Sequence, residues 1–289
     1  MQLMAADQAD PHLTLESGNI LFFPHESSGL SEQDREFLLG VQLTGGTLHK
    51  NVAYRPAQDR VSGFESSSPE FGERLKSVLR KYSKWAVRFT GETLPRYKDS
   101  WKLDYASFRP EEEAGRDLPW KKRNDLLHVD AFPSRPTHGD LILRVFTNIN
   151  PSQPRVWLTS DPFLQLAQLH AERAGLQQAG SGGLPRPLAR GLSSLGLPVV
   201  DRSPYDRFML DFHDYLKQND EYQKDCPKYR FDLPPGSTWM VFTDVVPHAV
   251  LSGQFALEQT FIVSRRCLAN PELAPLAILE KLAHRTLAD

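Results

Sequence analysis

The sequence predicts a mainly β protein with flanking helices, an α+β arrangement on a jelly-roll (cupin-like) core. Three observations carry that expectation. Strand-like runs recur from residue 101 onward, the clearest helical stretch precedes them, and two histidine-bearing segments, Leu127-His128-Val129-Asp130 and Val245-Val246-Pro247-His248, sit among such runs. A jelly roll leaves a site in the mouth between its two sheets, which suits polar side chains near strand ends. The expected organisation is a mixed region over 1–100 packed on a core over 101–289, with a loop and helical insertion at about 161–230.

The elements follow in chain order. Ser31 to Asp34, ahead of Phe37, Leu38 and Leu39, has the composition of a capping box opening a short helix. Residues 69–89 place Phe71, Leu75, Val78, Leu79, Tyr82, Trp85, Ala86 and Phe89 at helical spacing. Pro69 suits that helix's first turn, Glu70 and Glu73 its positive end, and Lys81, Lys84 and Arg88 its negative end. The period then shortens to two. Trp101 to Phe108 reads as a strand, followed by strands over Leu126–Phe132, Asp140–Asn148 and Val156–Thr159. Asp161 to Arg173 reads as a short helix. Residues 174–200, rich in Gly, Pro, Ser and Leu, read as a mobile loop or lid. Ser203 to Asn219 is helical, Pro234 to Ser237 a turn, Trp239–Phe242 and Phe255–Ser264 strands, and Pro271–Leu287 a closing helix.

Composition bounds the function. The 289 residues are 40% apolar and 24% charged, with a formal net charge of −2, values of an ordinary globular chain that argue against binding nucleic acid through bulk charge. Two cysteines, Cys226 and Cys267, do not make a secreted disulfide scaffold and point to a reducing cytoplasm. The first residues lack the basic and apolar regions of a signal peptide. No apolar run approaches the roughly 20 residues of a membrane span. Contact with a membrane would therefore be peripheral.

In an extended strand residues i and i+2 face one side, so His128 and Asp130 can reach one metal ion, and His248 is the natural third ligand. Two imidazoles and one carboxylate leave the opposite positions open, as non-haem Fe(II) oxygenases require. The triplet alone is a weak signal, and the chain holds a second one, His138-Gly139-Asp140. Thr137 to Asp140 has turn composition, so the second triplet is read as a turn and the first, flanked by Leu126, Leu127, Ala131 and Phe132, as the site. The remaining histidines, His213 among them, fall in expected loops or helices and receive no role.

Arg144 stands in the apolar run Leu141–Phe146 and needs an anionic partner, since an unpaired buried charge is costly. That partner is either an internal carboxylate or a ligand carboxylate, which the planar guanidinium would grip bidentately. Asn148 shares its strand parity. Lys121, Lys122 and Arg123 before the motif, Arg135 and His138 after it, and the basic residues of 69–89 form either solvated faces or attraction to an anionic substrate or membrane.

The segment His128-Val-Asp-Ala-Phe-Pro-Ser-Arg-Pro-Thr-His-Gly-Asp-Leu-Ile-Leu-Arg-Val-Phe-Thr-Asn-Ile-Asn-Pro151 resembles the bacterial Kdo hydroxylases, which act on 3-deoxy-D-manno-oct-2-ulosonic acid in lipopolysaccharide. Asp244 to Gly253 and Leu257 to Phe261 are similar to that family's distal half. The resemblance implies a double-stranded β-helix and a dioxygenase using Fe(II), 2-oxoglutarate and O2. It implies hydroxylation at C3 of Kdo in a Kdo–lipid A precursor, by an enzyme working in the cytoplasm at the inner face of the membrane. Carried onto this sequence it makes His128, Asp130 and His248 the iron ligands. Many relatives in the wider superfamily place a 2-oxoglutarate arginine beyond the distal histidine. Here Ala249 to Ser264 has neither Arg nor Lys, so Arg144 with Asn148 takes that role, with Arg265 and Arg266 as the alternative. Arg135, His138 and Arg109 are the expected contacts to the acidic sugar. The rival readings are an oxygenase of another sugar or small acid, and a sugar-binding jelly roll with a structural metal.

Overall fold

The computed structural model describes residues 2–5, 10–26, 28–43, 51–65, 68–179 and 200–288. The N-terminal hundred residues form β1 (Leu3–Ala5), α1 (Pro11–Glu16), β2 (Ile20–Phe23), α2 (Glu32–Leu39), β3 (Val52–Arg55), β4 (Arg60–Ser62) and α3 (Pro69–Thr93). There follow β5 (Trp101–Arg109), β6 (Leu141–Asn148), β7 (Arg155–Thr159), α4 (Phe163–His170), α5 (Pro204–Gln218), α6 (Asp220–Asp225), β8 (Tyr229–Leu233), β9 (Thr238–Phe242), β10 (His248–Ser252), β11 (Ala256–Val263) and α7 (Pro275–Ala283).

The strands make two sheets, one ordered β1-β2-β9-β6-β11-β5-β3-β4 and one ordered β10-β7-β8. From β6 onward the chain passes back and forth between the sheets, and every pairing among the strands from β5 on is antiparallel. This is the double-stranded β-helix. The N-terminal strands extend the large sheet at both edges, β1 and β2 beside β9, β3 and β4 beside β5. Strand alternation divides the large sheet's two faces. Phe108 and Leu257 face outward, where Leu75, Val78, Leu79 and Ala86 of α3 cover them in one apolar cluster. Phe146 and Trp239 face inward and stack, ring centroids 5.3 Å apart, against Trp157 of the small sheet. Burial of this kind stabilises by about 25 cal/mol per Å² of apolar surface. The outward stripe of α3 is the one its helical spacing predicts.

Several boundaries differ from the sequence reading. Leu126–Phe132 is not a laddered strand. It meets the small sheet through one bridge, in which His128 N–H donates to His248 O at 3.2 Å and His248 N–H donates to His128 O at 2.9 Å. Its other edge is held by a side chain, because the Gln223 amide accepts from Leu127 N–H and donates to Leu127 O. The 161–173 helix is shorter, and Pro271–Leu273 forms a separate 3-10 turn before α7. α6 and β8 lack strong periodicity and escape sequence reading; the Asn219 side chain caps α6 by accepting from Tyr222 N–H. Of the lid expected over 174–200, residues 180–199 lie outside the described residues. The second His-x-Asp triplet is a turn, with positive φ at His138 and Gly139. A Cβ at Gly139 would meet Leu276 Cδ2 at 2.4 Å, so the turn needs glycine.

Candidate metal centre

His128 and Asp130 leave the edge segment on one side, and His248 opens β10 opposite them, the bridge holding the two segments in register. The three residues are 6%, 8% and 5% exposed, and their ligand atoms lie within 4.8 Å of one another. The imidazole orientation follows from the backbone. His128 Nδ1 is 2.7 Å from Leu126 O and His248 Nδ1 is 2.9 Å from Val246 O. A carbonyl only accepts, so Nδ1 carries the proton and each Nε2 lone pair faces Asp130, at 3.9 Å and 4.0 Å. Burial and the neighbouring His248 and His213 hold His128 well below the usual histidine range, and burial lowers His248 as well. Burial works against charge on Asp130, yet the Arg144 guanidinium outweighs it and holds the carboxyl below the usual carboxylate range. Neutral imidazoles and an ionised carboxylate are the forms a metal ion binds. The donor set fits Fe(II).

Behind the triad runs a ladder of buried ion pairs. Arg144 reaches Asp130 at 3.0 Å and Glu258 at 3.0 Å. Glu258 also takes Arg109 at 2.6 Å, Arg109 lies 3.8 Å from Glu113, and Glu113 takes Arg155 at 3.2 Å. Acid and base alternate, so each buried charge is compensated. Burial opposes the charge on Glu258, and the two arginines hold it lowered nonetheless. β11 therefore presents a carboxylate that binds two arginines from neighbouring strands. A cavity of about 200 Å³ opens over the triad, lined among others by Arg109, Arg144, Arg155, His213 and Lys217.

The structure gives several of the expected residues internal partners. Arg144 has the internal partners that were the alternative to a ligand, and both its terminal nitrogens are engaged. The Asn148 amide is spent on main chain, donating to Gln153 O and Leu233 O at 3.0 Å and accepting from Asn150 N–H, so it braces a turn instead of facing a ligand. Arg265 donates to His138 O at 2.6 Å and serves the turn. Arg135 pairs with Asp104 and lies over the rings of Tyr105 and Phe132, at 4.1 Å and 4.3 Å, while the His138 ring faces Asp206; neither lines the cavity over the triad. Arg109 does line it. Of the basic cluster, Lys121 reaches the cavity and Arg123 is paired with Asp125.

Sequence reasoning missed the helical wall. His213 on α5 stands edge-on to His128, centroids 4.8 Å apart, and its Nδ1 donates to Val129 O at 2.8 Å. Lys217 follows one turn later and also lines the cavity. The spacing His213-x-x-x-Lys217, beside the buried stripe Phe208, Met209, Phe212 and Leu216, was the available signal. Asp244 is a second missed group; burial pushes its carboxyl up to about 7, and it lines a water-sized hollow of about 10 Å³ shared with Asp130.

A double-stranded β-helix whose small sheet, with the segment bridged to it, presents a buried two-histidine, one-carboxylate set defines the class of mononuclear non-haem metal proteins. The chain belongs to the 3-deoxy-D-manno-oct-2-ulosonic acid (Kdo) hydroxylase family, whose sequence pattern matches residues 2–286. Among solved structures it is similar to the Kdo hydroxylase KdoO, described as a non-heme Fe(II) alphaketoglutarate dependent dioxygenase. For the complex with alphaketoglutarate and Fe(III), identity is 39%, coverage 98% of this chain and 91% of that chain, and the TM-score 0.80. For the complex with succinate and Fe(III) the figures are 38%, 98%, 92% and 0.81. For the apo form they are 39%, 98%, 91% and 0.81. A search of curated proteins gave no match.

Proposed function

We propose that this protein is an Fe(II)- and 2-oxoglutarate-dependent dioxygenase that hydroxylates Kdo, at C3 of the sugar, in a Kdo–lipid A precursor of lipopolysaccharide. The observation that carries the reading is the convergence of two tautomer-locked Nε2 atoms and the Asp130 carboxylate on one point under an open cavity. When bound there, Fe(II) with 2-oxoglutarate and O2 supplies oxidative decarboxylation coupled to insertion of oxygen into a C–H bond.

His128, Asp130 and His248 hold the metal. Arg144 orients Asp130 by pairing with one carboxylate oxygen, the role of an outer-sphere partner. That leaves Arg109 for the far carboxylate of 2-oxoglutarate. Its Nε and one terminal nitrogen share a single Glu258 oxygen, and the other terminal nitrogen is nearest Glu113, at 3.8 Å. By contrast Arg155 gives its terminal nitrogens to Gly253 O and Glu113. Trp157 stacks on His248 at 5.2 Å and excludes water from that flank.

A lipid-linked substrate supports a reading in which the enzyme works in the cytoplasm, peripherally on the inner membrane. No described helix is long and apolar enough to cross a membrane. On α3 the basic residues Arg74 and Lys81 are paired with Asp34 and Arg80 with Asp59, so membrane contact through that helix rests on Lys84 and Arg88.

The test is the visible charge-transfer band of the anaerobic Fe(II)–2-oxoglutarate chelate. His128→Ala should abolish it. Arg109→Ala should raise the 2-oxoglutarate concentration needed for half the band by about 10–100-fold, and Arg144→Ala should weaken metal affinity by about 10–100-fold. A wild-type protein that binds metal yet gives no band would overturn the reading.

A further inference from the structure

We infer that Lys217, with His213 one turn before it on the same face of α5, is the site that recognises the carboxylate of the acidic sugar; this rests on the dioxygenase reading above. Three observations lead there. Lys217 is 5% exposed and its Nζ donates to Lys121 O at 3.0 Å, but among the described residues no carboxylate lies within ion-pair distance of it. The other cations of the cavity wall are all paired: Arg144, Arg109 and Arg155 within the ladder, and Lys121 with Asp214 at 3.4 Å. Asp130, Asp214 and Asp125 favour its charge from beyond ion-pair distance, but a buried ammonium with no carboxylate in contact is costly, so its retention beside a cavity points to a ligand anion.

Charge bookkeeping gives the same answer. The ladder's three carboxylates, Asp130, Glu258 and Glu113, cancel its three guanidinium groups. The metal dication and the 2-oxoglutarate dianion cancel each other. The Lys217 ammonium remains, and a substrate carrying one carboxylate neutralises it. Burial lowers the Lys217 ammonium to about 8, still protonated at neutral pH.

His213 supplies direction. Its Nδ1 donates to Val129 O, so the Nε2 lone pair is left to accept from a hydroxyl in the cavity that both residues line. The carboxylate of a 2-ulosonic acid stands beside sugar hydroxyls, so one ligand face satisfies both groups. Because α5 rests against the metal segment through the His213–Val129 contact, a sugar gripped there is held beside the open metal positions.

The measurement is substrate affinity without turnover. The anaerobic Fe(II)–2-oxoglutarate complex is titrated with free Kdo and with its methyl ester, and perturbation of the charge-transfer band reports binding. Wild type should favour the acid over the ester by about tenfold or more, the discrimination of one charge-assisted contact. Lys217→Met should bind the acid no better than the ester, and Lys217→Arg should restore part of the preference. The His128→Ala control separates loss of the centre from loss of the subsite. A Lys217→Met protein that gives the band and keeps the acid preference overturns the inference alone, as does one that loses 2-oxoglutarate affinity instead. Absence of the band in wild type overturns the dioxygenase reading and this inference with it.

Discussion

Along β6 the two faces of the large sheet are both buried and differ in their chemistry. Every residue of β6 is buried, yet Leu143 and Val145 enter the apolar core on one side, while Arg144 enters the ion-pair ladder and Phe146 the inward aromatic cluster on the other. Phe108 and Arg109 divide in the same way on β5, and Leu257 and Glu258 on β11. The outer face is mostly apolar because α3 and its neighbours exclude water, and its buried polar side chains, Thr147, Thr238 and Gln259, are uncharged and hydrogen-bonded. The inner face tolerates charge because each charge meets its complement from a neighbouring strand. A single residue step therefore separates stability from chemistry, and the two faces should respond differently to substitution.

The largest effect is expected at the ladder. Glu258→Ala leaves Arg144 and Arg109 without their shared carboxylate and should cost about 3–5 kcal/mol, read by urea denaturation, while also weakening 2-oxoglutarate binding. If stability fell without any change in 2-oxoglutarate affinity, the ladder would be scaffolding only. A smaller effect is expected on the outer face. Val145→Ala removes two buried carbons and should cost about 2 kcal/mol by the same assay, with the half-saturating concentrations of Fe(II) and 2-oxoglutarate unmoved; a change in either would mean that the faces are coupled through β6. The smallest is expected at an exposed pair. Arg123 and Asp125 lie 2.6 Å apart but are 41% and 39% exposed at their side chains. Arg123→Ala should therefore shift stability by less than about 0.5 kcal/mol, and a larger loss would show that ion-pair geometry outweighs burial here.

Much of this was legible in the chain. The α3 stripe and the alternation around Trp101 announce themselves because packing on one side imposes a period, while the strands around Leu141, Trp239 and Ala256 read as short apolar runs because both their faces are buried. The triad was legible because His128 and Asp130 are local and His248 follows a strand. The family resemblance named the chemistry. Arg144 was legible as a charge needing a partner, but its partner was not. Asp130 and Glu258 reach it only when β6, β11 and the edge segment are brought side by side, and no spacing along one strand encodes that meeting. Asn148 misled for the same reason: its parity is right, and its amide is consumed by the Asn150 turn that the strand end creates.

The sequence by itself determined the fold class, the three metal donors and the family, since each rests on a local pattern or on a contiguous motif. Tertiary structure alone decided which carboxylates Arg144, Arg109 and Arg155 meet, and it brought His213 and Lys217, from a helix with no assigned role, against the metal segment. The physical reason is that a charge's role is set by what lies within a few ångströms after folding, and those neighbours come from strands and helices far apart along the chain.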